Sequence, residues 1–168
     1  YLQYYLADVV RSFQALGRTL TEAPFQAVAL LGLLISLGAA LASVPAGRAS
    51  DRLGRKPLIY LSGAGLGLLM PFLLLFPRYD LLLALALVFG LFYGVYLAVD
   101  WALVADVLKD PEAHATDMGL WQTAIVVPQV LAGAFGRPLD LLNAQPPGLG
   151  YQVLYLLAAL FFLLGAFG

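Results

Sequence analysis

The sequence predicts an all-α membrane protein, and three features carry that prediction. Apolar residues make up 62% of the 168 and charged residues only 11%, against about 45–50% and ~25% in soluble domains. Five uncharged runs of at least 18 residues recur along the chain: Ala23–Val44, Leu58–Phe76, Leu81–Val99, Met118–Gly136 and Tyr151–Gly168. As helices they reach about 27 Å or more at 1.5 Å per residue, enough for most of a ~30 Å hydrocarbon layer. The charges gather in the short connections between those runs. Lipid offers the backbone no hydrogen-bond partner, and these runs do not alternate as barrel strands do, so each span is a helix.

The elements follow in order. Residues 1–10, "YLQYYLADVV", read as the last turns of a helix whose start is missing, so the chain is expected to be a fragment of a longer protein. Arg11–Glu22 links this remnant to a span over about 23–45, and Gly47–Pro57 links that span to one over 58–76. The tight turn Pro77-Arg78-Tyr79-Asp80 leads into 81–107, the polar stretch Lys109–Asp117 into 118–140, and Arg137–Gly150 into 151–168. Connections this short fit a compact bundle. All of residues 1–168 are expected to form one six-helix unit, its first helix truncated.

Composition excludes several functions. A net charge of −1 without a basic stripe leaves no footprint for nucleic acid, and the absence of cysteine removes disulfides and thiolate metal sites. The single histidine, His114, lies in a polar loop with Glu112 and Asp117 and has no ligand partners, so neither a metal nor a cofactor is expected.

One connection stands out. "GRASDRLGRKP", residues 47–57, holds four of the nine cations and an aspartate, between spans that carry no charge. Arg52, Arg55 and Lys56 anchor a loop at an anionic leaflet and bar it from crossing, which places it in the cytoplasm under the positive-inside rule. Gly54 lets the backbone turn sharply between two helices. Asp51, four residues after Gly47, is expected just beyond the end of the preceding helix.

The spacing Gly47-x-x-x-Asp51-Arg52-x-Gly54-Arg55-Lys56 resembles the signature loop of the major facilitator superfamily, which follows the second helix of each six-helix half. Ala49 and Ser50 stand where that pattern has Leu and Ala. The resemblance covers the whole chain as one half of a twelve-helix transporter in a bacterial inner membrane. "VYLAVDWALVADVLKDPEAHATDMGLWQTAIVVPQVLA" and "YLQYYLADVV" are similar to the C-terminal half of sugar–cation symporters of the glycoside–pentoside–hexuronide and sucrose-carrier type. The implied partners are the bilayer, the missing N-terminal half, a small-molecule substrate, and a proton or sodium ion. The resemblance also implies that Asp51 is held by the positive N-terminal end of a helix in the other half, stabilising one closed state. A plain topology anchor is the simpler alternative for the same loop.

Polar residues inside the spans are the remaining candidates. Tyr93, Tyr96 and Asp100 fall at i, i+3 and i+7, on one helical face. An aspartate left in hydrocarbon costs about 2.5–3.5 kcal/mol by insertion scales, so Asp100 should face the bundle interior or a water-filled cavity. There it would bind substrate or carry a coupling proton, with the tyrosines offering hydroxyls and ring surface; a structural hydrogen bond is the competing role. Gln122 and Gln129 share a face around Pro128, and either bind substrate or bond to neighbouring helices. Trp101 and Trp121 suit a membrane-interface belt. Asp106, at the cytoplasmic end of its span, is expected to pair with Arg52 or Arg55. Gly63 and Gly67, four residues apart, offer a close-packing surface to another helix.

The leading function is therefore half of a secondary active transporter for a small polar solute. Drug or metabolite efflux, or a non-transporting assembly factor of the same fold, are the alternatives. Intramembrane proteolysis would want two facing aspartates within spans, and only Asp100 is clearly embedded.

Overall fold

A computed structural model describes residues 1–107, 114–144 and 148–167. Among these, five helices are long and apolar enough to cross a membrane, one for each uncharged run. The first helix is short: α1, Leu2–Tyr5, runs into a π-helical turn at Leu6–Val10 that ends on Arg11 with φ +59°. The Arg11 guanidinium folds back to donate from Nε to the carbonyl of Asp8 at 2.7 Å.

The link from 11 to 22 is not a plain loop. Phe13–Ala15 (β1) and Arg18–Thr21 (β2) pair antiparallel across a two-residue turn, Leu16-Gly17, with both turn residues at positive φ. This left-handed pair matches the twist of a tight hairpin. Phe13 is buried edge-to-face on Tyr79, 5.3 Å between ring centres, so the hairpin is seated on the start of the fourth helix.

The second helix, α2, covers Pro24–Leu53, and α3 covers Arg55–Leu75. Proline at the first position of α2 costs nothing, because that N–H has no helical acceptor. Three further helical segments complete the chain: α4 (Tyr79–Val107), α5 (His114–Ala132) and, after a 3-10 turn at Gly133–Phe135, α6 (Gly136–Asn143). The span expected over 118–140 is thus interrupted between two glycines before it resumes. The last helix, α7, covers Leu149–Phe167.

Glycine sets the packing. α2 lies along α4, where a Cβ on Gly38 would meet the Leu91 nitrogen at 2.9 Å and one on Gly90 or Gly94 would fall on the backbone of Ile35 or Ala39. α3 lies along α7 by the same device. Cβ atoms at Gly63 and Gly67 would strike Ala166 and Leu163, so the close-packing surface read from their spacing is present. The core gathers at the end of the bundle opposite Gly54, around Tyr5, Leu6, Phe13, Tyr79, Tyr151 and Tyr155. Tyr79 donates to the carbonyl of Ala27 at 2.9 Å, tying α4 to α2 there.

Candidate functional site

The charged stretch 47–57 is helix almost throughout. Residues Gly47 to Leu53 continue α2, and α3 resumes at Arg55, leaving Gly54 as the single residue between them. The expectation of an eleven-residue loop is corrected: Ala46, Arg48, Ala49, Arg52 and Leu53 favour helix, and Arg52 in the last turn complements the negative end of the helix dipole. Pro57 falls in the first turn of α3, where its missing N–H leaves no acceptor unsatisfied. Gly54 takes φ +85°, a backbone that a side chain would strain, so its predicted role in the turn holds.

Asp51 is corrected too, since it lies in the last turn of α2 rather than past its end. A carboxylate at the C-terminal end of a helix faces the wrong pole of the dipole. Asp51 is exposed, and among the described residues it makes no hydrogen bond or ion pair. Gly47 sits in the helix with no heavy atom within 4 Å of where a Cβ would stand. Arg52 and Lys56 are exposed, and Arg55 is half-buried. The pairing expected for Asp106, and the side chain of His114, lie outside the described residues.

Tyr93 and Tyr96 do share a face. They line one groove of about 160 Å³ with Ile59 and Gly63 of α3 and with Phe161 and Phe162 of α7. Tyr93 stacks on Phe89 at 6.1 Å. Asp100, one turn beyond Tyr96, is half-buried. Gln122 and Gln129 are not brought to this group: both are exposed on α5 and make no hydrogen bond among the described residues. The edge-to-face pair Trp101–Trp121, 4.7 Å between ring centres, brings α4 and α5 together, so the two indoles expected in a membrane-interface belt pack on each other. At the far end of α5, the Tyr1 hydroxyl donates to the Ala132 carbonyl at 2.6 Å, where the helix turns 3-10.

The sequence reading gave Asp8 no role, yet its carboxylate accepts a hydrogen bond from the Tyr151 hydroxyl. That bond fastens the π-turn after α1 to the first turn of α7, and Tyr5 packs edge-to-face on both Tyr151 and Tyr155 beneath it. The available signal was an aspartate within an otherwise apolar helix end, next to Arg11.

A multi-pass helical bundle with a cationic one-residue hinge between its second and third helices has the form of a membrane transport unit. The family model of the Major Facilitator Superfamily matches residues 4–167, and the chain belongs to that superfamily, a family of transporters rather than enzymes. No curated protein and no solved structure matches it.

Proposed function

We propose that this chain is the C-terminal six-helix half of a secondary active transporter that moves a small polar solute by alternating access, coupled to a proton or sodium ion. A sugar is the solute that the similarity to sugar–cation symporters favours, and a bacterial inner membrane is the setting. The observation that carries the coupled reading is Asp100, half-buried within α4 a turn beyond Tyr96. A carboxylate held at that depth is costly unless it binds something, and embedded ionisable residues mark substrate or ion pathways. Asp51 supports alternating access: without a partner among the described residues and at the wrong end of its helix, it suits a partner supplied by another helix's N-terminus in one closed state.

The test is uptake of radiolabelled sugars into vesicles carrying the whole transporter, with and without an imposed proton or sodium gradient. Asp100→Asn keeps the shape and removes the charge change. Loss of gradient-driven accumulation, with binding retained, supports coupling through Asp100; full accumulation by the variant rejects it. Extrusion in place of uptake would assign the chain to an efflux carrier, and no transport of any solute would favour an assembly role.

A further inference from the structure

A cavity of about 210 Å³ lies beside α1, between α2, α3, α4 and α7. Tyr1 and Leu2 line it together with Ile35, Ala86, Phe89 and Tyr155, and its wall is almost wholly apolar. Two polar features border it. Tyr155 is 9% exposed, and its hydroxyl makes no hydrogen bond among the described residues. Its neighbours Tyr5 and Tyr151 each donate one. A buried tyrosine hydroxyl ordinarily finds a partner, because leaving it bare is costly. The second feature is the start of α1. Its first helical bond runs from the Tyr5 N–H to the Tyr1 carbonyl at 3.0 Å, so the N–H groups of Leu2, Gln3 and Tyr4 have no helical acceptor, and no side chain caps them. Phe89, on the same cavity, stands ten residues into α4 from Tyr79, a rise of about 15 Å. The open helix end is therefore near the middle of a ~30 Å layer, where bare N–H groups are expensive.

We propose that the chain immediately preceding Tyr1 continues α1 as a helix through this cavity, packed between α2, α4 and α7, and supplies the acceptor for the Tyr155 hydroxyl. Continuation answers both features. The carbonyls of the three residues before Tyr1 become the i−4 acceptors of Leu2, Gln3 and Tyr4, and a backbone or side-chain oxygen of the added turns comes within reach of Tyr155. The buried side of α1 sets the chemistry of the segment. Tyr5 is 1% exposed, and Leu2 lies three residues before it on the same side. Stepping back by four and then three, the residues three and six places before Tyr1 continue that side and should be apolar. An acyl chain could fill the same volume, but it would leave three N–H groups and a hydroxyl bare. The inference does not depend on transport, so it stands or falls apart from the reading of Asp100.

The test uses the full-length protein carrying this chain, in membranes, with a cysteine placed three residues before Tyr1. A short bifunctional methanethiosulfonate should join that cysteine to Phe89→Cys or Ile35→Cys within one molecule. It should not join it to Leu157→Cys, which is 40% exposed on the far side of α7 from Tyr155. Two further variants read the cavity in purified full-length protein. Ala86→Phe puts a ring where the segment should lie, and overpacking should lower the melting point. Tyr155→Phe should lower it too, because the acceptor in the segment loses its donor. Cross-linking no better than the Leu157→Cys control, or cross-links only between two molecules, would overturn the proposal. So would a melting point that Ala86→Phe leaves unchanged or raises, or that Tyr155→Phe does not lower. An intact mass placing the protein's N-terminus at Tyr1 would overturn it outright.

Discussion

The Tyr5 hydroxyl donates to the carbonyl of Leu73, the one carbonyl at the end of α3 whose helical donor would have been residue 77. Residue 77 is proline and has no N–H. In lipid a bare carbonyl is expensive, so a tyrosine from α1, itself 1% exposed, completes the third helix. Tyr5→Phe should therefore lower stability by about 0.6–2 kcal/mol without changing the fold. Tyr4→Phe, at an exposed neighbour that makes no hydrogen bond among the described residues, is the control. Thermal unfolding in detergent reads both, and equal melting points for the two variants would reject the role.

A second expectation concerns α2 against α4. Gly90→Val puts carbon onto the backbone of Ile35, which has no rotamer to yield, and should cost at least about 1–3 kcal/mol or separate the helices. Gly32→Ala, with nothing within 4 Å, should be neutral or stabilising, since alanine is the better helix former by about 1 kcal/mol. Unfolding in mixed micelles, followed through Trp101 and Trp121, ranks them. The reverse order would mean that α2 and α4 do not meet at these glycines.

Asp8 and Tyr151 should behave as one unit. Asp8→Asn and Tyr151→Phe each remove the charged hydrogen bond, and the double variant should be little worse than the more damaging single one. A coupling free energy of about 0.5–3 kcal/mol is the range for residues in direct contact. Strict additivity in the double-variant cycle would show that the two residues act separately.

At the hinge, stability and transport should part company. Gly54→Ala forces a Cβ onto a backbone at φ +85° and should cost about 1–2 kcal/mol. Gly47→Ala sits in open helix and should leave stability intact or improve it. If Gly47 approaches the other half in a closed state, transport by Gly47→Ala will fall while its melting point does not. Unchanged uptake would confine the glycine to a local role.

The spans were legible because a run of about 20 uncharged apolar residues has few other uses, and each long helix covers one such run. The hinge is less legible for a related reason: a cluster of charge between two apolar runs looks like a loop, yet Arg48, Ala49, Arg52 and Leu53 favour helix as strongly as the residues before them. The hairpin is not legible because leucine at a turn position is not a turn signal, yet Leu16 takes φ +52° there. Tyr93 and Tyr96 could be placed on one face from their spacing, but the helices facing that groove could not. The Asp8–Tyr151 bond spans 143 residues, a distance over which no local pattern reports.

The single residue at Gly54 also works as a mechanical coupling. Two peptide units between Leu53 and Arg55 reach no more than about 7 Å fully extended, so the joint has almost no slack. α2 is packed against α4, and α3 against both α7 and α4, so the joint at Gly54 and the α3–α4 contact together tie the two pairs. A ligand or a neighbouring helix pressing on Asp51 would thus act as a hand on a lever with its fulcrum at Gly54. The two helix pairs would then move in step and would not slide independently.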